Sequence, residues 1–408
     1  MFDYGELNVF MNGVNQGLKV RCYPDEDMVI KINQNIGNAR FTWNKLLENY
    51  QNTYKIFKRH GYNKLKCNQA TFNTMLKMLK EEYDFLTLSE SSSLQRVYMD
   101  LIQAFNKFFR EDCGHPRFKS KKHDKQSFRI QNNGNIKIKD NVIVLPKLGE
   151  IHYRTSKKYR EKLQKVKINS VTIKIENGKY YAAFNIETNI PDLPKKYDAV
   201  GIDLGMRTLA TLRNGLKIAN LDVTYEESMI QKYQKRLSRQ KYNSNRYKDT
   251  LKTYWKWTDK KNNKIKDYYH KITTQIVKNY DIIILEDLNI KGMFQNRHFS
   301  PKLQRIGLYN FVQMLKYKAE IYGKTFRKVS RWFASSKTCS NCGYYYKDLS
   351  IGETKWECPQ CPAIHDRDIN AAKNILKQGL KDFVDEIMNL WDRGDSTVIL
   401  LSFESTGP

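Results

Sequence analysis

The sequence predicts a multidomain protein, α+β in its first part and α/β in its second. Three observations predict it. Strand-like alternation on both sides of a block with helical periodicity indicates a helical domain inserted into a β domain. Two short apolar runs, Ala199-Val-Gly-Ile-Asp203 and Asp281-Ile-Ile-Ile-Leu-Glu286, each end on a carboxylate and flank a helical stretch, the pattern of an α/β sheet. Two Cys-x-x-Cys pairs, Cys339/Cys342 and Cys358/Cys361, fifteen residues apart, mark a small metal-held module inside that second part. A chain of 408 residues is long enough for two or more such domains.

Taken in order, residues Met1 to Gln16 contain Asp3 and Glu6 and lack the basic-then-apolar order of a signal peptide. Gly17 to Tyr23 alternates apolar and polar residues before Pro24, which predicts a strand closed by a turn. From about Asp27 to Arg110, the stripes Ile32, Ile36, Ala39, Trp43, Leu46, Leu47 and Leu94, Val97, Leu101, Phe105, Phe108 predict helices, broken by Gly114 and Pro116. A basic run, Lys119 to Lys122, precedes strand-like stretches at Ile136–Ile138, Val142–Leu145, Val171–Ile173 and Tyr180–Phe184, and Pro191 and Pro194 mark a linker. Between the two carboxylate-ended strands, Gln231 to Lys271 holds fourteen Lys or Arg against three acids (Asp249, Asp259, Asp267), interleaved with Tyr233, Tyr242, Tyr247, Trp255, Trp257 and Tyr268. This predicts a long helical hairpin with a basic face, on which Arg236, Arg239 and Arg246 are candidate nucleic-acid contacts. Charged helical faces are often merely solvated, but the surplus of charge mixed with stackable rings favours nucleic acid. Asp368 opens a further helix (Ile369, Ala372, Ile375, Leu376 on one stripe) expected to stop near Gly379. An amphipathic tail follows, Leu380, Phe383, Val384, Ile387, Met388 and Trp391, and then little pattern from Gly394.

Composition narrows the partners. Lys and Arg number 71 against 43 Asp and Glu, a formal net charge of +28. Such an excess attracts polyanions, because each cation set on a phosphate releases condensed counterions. No run of eighteen apolar residues exists to span a membrane. Cys22, Cys67 and Cys113 are scattered rather than paired, which fits a reducing cytoplasmic interior better than a disulfide framework.

Four thiolates on two tight turns suit one structural Zn²⁺, and Lys337, Lys347 and Lys355 would bring that module toward a phosphate backbone. Asp203 and Glu286, at the ends of adjacent strands, converge with Asp368 at a helix start, and the paired Ala371 and Ala372 let that helix approach a sheet. Three carboxylates gathered this way suit two Mg²⁺ ions roughly 4 Å apart acting on a phosphodiester. Each has a plainer reading: Asp368 or Asp366 as a helix N-cap, Asp203 beside Gly205 as a turn residue, Glu286 as a strand end. The order Asp, Glu, Asp on strand, strand and helix is harder to obtain by accident. His365 lies nearby, with packing as good an account as catalysis. No Walker loop, dinucleotide fingerprint or Ser/His/Asp arrangement occurs.

Gly201-Ile-Asp-Leu-Gly205, Leu285-Glu-Asp-Leu-Asn289, Ser335-Ser-Lys-Thr-Cys-Ser-Asn-Cys-Gly343 and His365-Asp-Arg-Asp-Ile-Asn-Ala-Ala-Lys-Asn-Ile375 resemble the signature blocks of TnpB, a family of transposon-encoded RNA-guided DNA endonucleases related to type V CRISPR effectors. The resemblance extends forward to Gly37–Arg40, Ala104–Phe109, Pro116–Lys119 and Leu145–Gly149, and covers roughly Gly17 to Leu380. It implies a β-barrel wedge domain gripping guide RNA (17–26 and 114–195), an inserted helical recognition lobe (27–113), and an RNase H-like RuvC nuclease domain (196–333 and 365–381). It also implies a zinc module that loads target nucleic acid (334–364), with an N-terminal extension (1–16) and a C-terminal tail (382–408) outside these. Asp203, Glu286 and Asp368 match the family's catalytic carboxylates. The implied partners are one guide RNA and double-stranded target DNA, the latter read beside a short adjacent motif, with a monomer favoured over a homo-oligomer. Lys66, Asn68, Gln69, Asn73 and Lys77 are candidates for part of the motif reader, and Lys119, Lys121 and Lys122 for backbone contacts. One departure is that Ile265 and Lys266 precede Asp267, where the family often carries an Arg. Rival expectations are a nuclease-inactive RNA-guided repressor, which would have lost a carboxylate, and the same chemistry serving a CRISPR array. A DDE transposase expects the order Asp, Asp, Glu, which this chain lacks.

Overall fold

The structure, a computed structural model, describes residues 14–62, 65–111, 113–288, 306–350 and 352–392. The expectations for the first thirteen residues and for the tail beyond 392 lie outside these. The chain divides into two compact units, Met1–Asn189 and Ile190–Pro408.

In the first unit, β1 (Val14–Cys22) begins three residues before the expected Gly17 and leads into α1 (Glu26–Arg59). Asp25 starts that helix, its carboxylate accepting the Met28 N–H at 2.8 Å, and Glu26 and Asp27 follow in the favourable first turn. Then come α2 (Gln69–Glu82), a 3-10 turn at Asp84–Leu88, and α3 (Ser91–Arg110). The strands β2 (Gln126–Gln131), β3 (Lys137–Lys139), β4 (Val142–Leu145) and β5 (Gly149–Arg154) follow, then α4 (Lys157–Lys165), β6 (Lys167–Glu176) and β7 (Lys179–Thr188). The sheet runs β2-β6-β7-β1-β5-β4-β3 with every pairing antiparallel. Because β1 lies between β7 and β5, the helices are an excursion out of one continuous sheet.

The period-2 pattern sorts that sheet's faces. Leu18, Val20, Cys22, Ile151, Tyr153, Ile173, Ala182 and Phe184 are buried in a core that also takes Met28, Ile32 and Ile36 of α1. Further along α1, Trp43, Leu46, Leu47 and Tyr50 join Phe72, Leu76, Leu94, Leu101 and Phe105 in a second core. Phe108 closes the expected stripe on paper but is exposed.

In the second unit the strands are β8 (Ala199–Leu204), β9 (Thr208–Leu212), β10 (Lys217–Ala219), β11 (Ile282–Glu286) and β12 (Thr325–Val329), ordered β10-β9-β8-β11-β12. β11 is parallel to both β8 and β12, and the other pairings are antiparallel. Between β10 and β11, α5 (Thr224–Ser238) and α6 (Asn245–Asn279) form the expected hairpin. α7 (Leu308–Ile321) precedes β12, and the short β13 (Lys355–Glu357) and β14 (Ile364–Asp366) lead into α8 (Arg367–Asp392).

α8 lies directly on the sheet, and two glycines allow it. A Cβ on Gly201 would sit 2.1 Å from the Ala372 carbonyl oxygen, and one on Gly379 would sit 2.3 Å from Ile284 Cγ2. This corrects the expectation that the helix stops near Gly379: it continues to Asp392. The glycine is there because β11 passes too close for a side chain, so tertiary packing overrides the local signal for a helix end. Beyond it Leu380 is partly buried and Phe383 lies under the Arg327 guanidinium at 4.5 Å, whereas Val384, Met388 and Trp391 are exposed.

Candidate metal and nucleic-acid site

The parallel register Leu285↔Ile202 brings the C-terminal ends of β8 and β11 side by side, so Asp203 and Glu286 leave the sheet at one edge. Ligands of open α/β sheets gather at such edges. α8 begins there too. Asp366 caps it, one carboxylate oxygen accepting the Ile369 N–H at 3.2 Å while the other takes Lys217 Nζ at 2.8 Å. The capping role considered for either acid therefore falls to Asp366, and Asp368 lies two residues further on, in the first turn. Asp203 is likewise no turn residue but the fifth of six in β8, registered with Thr211.

Asp203 senses the other two acids. Asp203 is partly exposed yet surrounded by protein, and burial, then the charges of Asp368 and Glu286, push its carboxyl up to about 7, with Arg367 pulling the other way. Burial also raises Glu286, against the opposing hydrogen bond from Ser335 Oγ at 3.5 Å. Its neighbour Asp287 is occupied elsewhere, held low chiefly by Lys328 (2.9 Å), with Arg331 (2.6 Å) adding to it. A carboxyl raised this far by burial, and further by two neighbouring carboxylates, sits where cations would bring relief, so the donor set fits hard divalent ions.

The cysteines converge more tightly. Their sulfurs all lie within 4.8 Å of one another, with Cys339 and Cys361 at 3.7 Å and Cys342 and Cys358 at 3.6 Å. Tetrahedral Zn–S bonds of roughly 2.3 Å imply S···S separations of roughly 3.8 Å, so the sulfur cage fits zinc. Each turn is closed by backbone bonds: Gly343 N–H to Cys339 O at 2.9 Å, and Cys358 N–H to Ala363 O at 3.0 Å. Hydrogen bonds from Asn341 and from the Ala363 backbone draw the Cys361 thiol down to about 6. His365 belongs to this module: it is buried, lies tilted against the Trp356 ring at 4.7 Å and reaches Cys339 Sγ at 3.0 Å.

Sequence reasoning missed what couples the two sites. Asn370 donates to Thr338 O at 2.7 Å and accepts the Ser340 N–H at 2.9 Å, while Asn374 donates to Ser335 O at 2.8 Å and to Thr338 O. The helix that carries Asp368 therefore also holds the base of the cysteine module. The asparagines at 370 and 374, one turn apart, were the available signal.

The candidate nucleic-acid residues are dispersed. Lys66, Asn68, Gln69 and Lys77 are exposed and Asn73 half-exposed, but Asn68 is occupied as the N-cap of α2, accepting the Thr71 N–H at 3.0 Å. Lys121 and Lys122 are exposed, whereas Lys119 folds back over the Trp43 ring at 3.5 Å. Arg236, Arg239 and Arg246 are exposed around the α5–α6 turn. Part of the aromatic set between them is engaged within the protein: Trp257 meets Tyr225 edge-on at 5.5 Å, and Tyr268 donates to Ala219 O at 2.7 Å. A cavity of about 900 Å³ between α5, α6 and α7, lined by Gln231, Tyr254, Asn262, Asn310 and Gln313 among others, does not include the carboxylates.

A basic row on the other sheet also went unread. Lys174, Tyr181, Arg21 and Arg154 lie directly opposite one another across β6, β7, β1 and β5. Lys19 Nζ sits 3.9 Å from the centre of the Tyr181 ring, Arg154 lies over Tyr23 at 4.9 Å, and Arg21 Nε is buried without a hydrogen-bond partner among the described residues.

Comparison with known proteins gives the family to which the chain belongs. Family models match at residues 309–375 (Cas12f1-like, TNB domain), 173–297 (OrfB_IS605, "Probable transposase") and 11–59 (OrfB_IS605 "Helix-turn-helix domain"). Over the described part of the last match the chain forms a strand and one uninterrupted helix. A Streptomyces pristinaespiralis protein named "Putative RNA-guided DNA endonuclease" is 30% identical over 379 residues, covering 91% of this chain and 90% of that protein. A similarly named Escherichia coli K12 protein, InsQ, is 27% identical over 383 residues, covering 89% of this chain and 92% of that one. The Cas12f1 chain of a Cas12f1–sgRNA–target DNA complex shares the fold, with a TM-score of 0.57 and 13% identity, over 89% of this chain and 98% of that chain. The chain belongs to the TnpB (OrfB_IS605) family.

Proposed function

We propose that this chain is an RNA-guided, Mg²⁺-dependent DNA endonuclease that binds one guide RNA, reads a short motif beside its target and cuts with a single RuvC-like site. The observation that carries the reading is the convergence of Asp203, Glu286 and Asp368 at one sheet edge, with Asp203 pushed up to about 7 by burial and by the other two. Two bound Mg²⁺ would activate a water and neutralise charge on the leaving oxygen. The chain's own residues prepare for this. Ser335 orients Glu286, the Lys217–Asp366 pair fixes the start of α8 so that Asp368 faces the edge, and Asn370 and Asn374 hold the zinc module beside it.

In this reading residues 17–26 and 114–195 are the wedge, 27–113 the recognition lobe, 196–333 with 365–381 the nuclease, and 334–364 the zinc module that brings target nucleic acid to it. The cation–aromatic row of Lys19, Arg21, Arg154, Lys174 and Tyr181 supports assigning guide-RNA phosphates to that sheet face. Lys66, Asn68, Gln69, Asn73 and Lys77, the basic segment at Lys119, Lys121 and Lys122, and Arg236, Arg239 and Arg246 are further contacts to nucleic acid.

The test incubates wild type and the Asp203→Ala, Glu286→Ala and Asp368→Ala variants with matched guide and target, scoring cleavage and binding separately. Each variant should lose cleavage by at least about a thousandfold while still binding matched DNA, since recognition rests on base pairing and on basic surfaces elsewhere. Chelating Mg²⁺ or mismatching the guide should stop the wild type. An alanine variant that cuts at the wild-type rate removes that residue from the site, and a wild type that binds without cutting makes the chain a guided repressor.

A further inference from the structure

Between β12 and the cysteine module the chain turns a corner at residues 330–335 that is fixed on several sides. Arg331 donates to Asp287 at 2.6 Å, and the Asp287 N–H donates to Val329 O at 3.0 Å. Phe333 packs against the small core of Ile284, Val329 and Ile375. Ser335 reaches Glu286 with its hydroxyl and has its carbonyl held by Asn374. Within the corner, Phe333 N–H donates to Ser330 O at 3.1 Å and Trp332 N–H to Ser330 Oγ at 3.3 Å. The side chain this pinned corner turns outward is Trp332, 87% exposed.

A lone exposed apolar residue is ordinary and carries nothing by itself. This one differs in place and in rigidity. It is the most exposed tryptophan among the described residues, on a segment whose neighbours on either side are occupied, three residues from the serine that touches Glu286. Tyr344 and Tyr345 of the cysteine module are also exposed, and Tyr345 bridges to Thr338.

We propose that Trp332 is a positioning residue that stacks on an unpaired base of the DNA strand next to the scissile phosphate. Opening of a duplex by guide pairing leaves unpaired bases to be held, and an indole holds any of the four. That tolerance suits an enzyme whose sequence choice is made by the guide. The inference rests on the endonuclease reading for its site and deepens it by naming what seats the strand.

The experiment compares guide-loaded wild type, Trp332→Ala and Trp332→Tyr on matched target DNA, with an abasic site or 2-aminopurine placed at successive positions across the cut. Trp332→Ala should slow cleavage about ten- to a hundredfold, with zinc content and melting unchanged, and Trp332→Tyr should restore most of the rate. An abasic site at one position should cost the wild type a similar factor and cost Trp332→Ala nothing further, while 2-aminopurine there should be quenched in the wild-type complex only. Additive losses, a tyrosine variant as slow as alanine, or Trp332→Ala cutting at the wild-type rate would each overturn the proposal. If the wild type does not cut at all, the endonuclease reading fails. The 2-aminopurine signal then decides the stacking alone, and equal emission from wild type and Trp332→Ala ends it.

Discussion

Gly201 shows how one absent side chain fixes the site. Its position would place a Cβ 2.1 Å from a backbone oxygen of α8 and 2.6 Å from the Leu376 nitrogen, atoms that cannot rotate away. Gly201→Ala should therefore cost on the order of 3 kcal/mol, the upper end for overpacking, and displace Asp368 relative to Asp203. Gly379→Ala meets only side-chain atoms, of Ile284 and Val329, and should cost about 1–2 kcal/mol. Thermal unfolding and cleavage rates measure both, and equal costs would refute the distinction. The sequence announced the alanines of this contact because small residues on a helix face are a local signal. It could not announce Gly201, whose partner is 171 residues away, and the local rule misled at Gly379 for the same reason. Asp281 anchors the linker in a similar way, accepting the Lys196 N–H at 2.6 Å and pairing with Lys324, whose side chain is 2% exposed. Burial works against the Asp281 carboxylate, but those partners outweigh it and hold it below its usual range. Because the folded value is depressed, its stabilisation is present above the unfolded value of about 3.9 and is lost as pH falls through the folded one. Asp281→Asn should lower stability by about 3 kcal/mol at neutral pH and converge with wild type in acid. Melting curves from pH 7 to 3 that stay parallel would contradict this.

At the scale of elements, α8 serves two sites at once. Its first turn carries Asp368, and two and six residues later Asn370 and Asn374 grip Ser335, Thr338 and Ser340 below the cysteines. Cys358→Ser should release about one zinc per chain, measurable by elemental analysis, and loosen the module, since three thiolates no longer close a tetrahedral site. Asn374→Ala should keep the zinc but cost about 1–3 kcal/mol, because the Ser335 carbonyl loses its side-chain donor and Thr338 O is left with Asn370. It should also slow cutting. Zinc loss in Asn374→Ala would mean the grip and the metal are one unit. The cysteines were legible because metal geometry constrains spacing along the chain. The asparagines were not, because their partners belong to another segment and an Asn on a helix ordinarily means only a solvated face. The strand-ended carboxylates lie between these cases: the apolar runs gave the strands, and only the parallel register put their ends together.

At the scale of the molecule the surplus of charge has to be placed. A net +28 repels itself unless polyanions are near, and three groups of exposed or partly exposed basic residues lie on the Arg21 sheet face, around the α5–α6 turn and after Pro116. If these surfaces take guide-RNA phosphates, affinity should fall linearly on a log–log plot against salt. The slope should be near −0.7 for each contact with single-stranded RNA. Arg21 is the sharpest place to count one. Its Nε is buried without a partner among the described residues, Nη1 lies 3.4 Å from the Tyr181 hydroxyl, and Arg154 stands opposite in register. Arg21→Ala and Arg154→Ala should each flatten the slope by roughly 0.7 and weaken binding most at low salt. Lys139→Ala, whose cation pairs with Glu150 at 3.4 Å on an exposed part of the sheet, should leave the slope alone. Titrating labelled guide RNA from about 50 to 200 mM salt reads all four proteins. An unchanged slope in Arg21→Ala would take the phosphates off that face, and a flat dependence in wild type would take them off the protein's charge altogether.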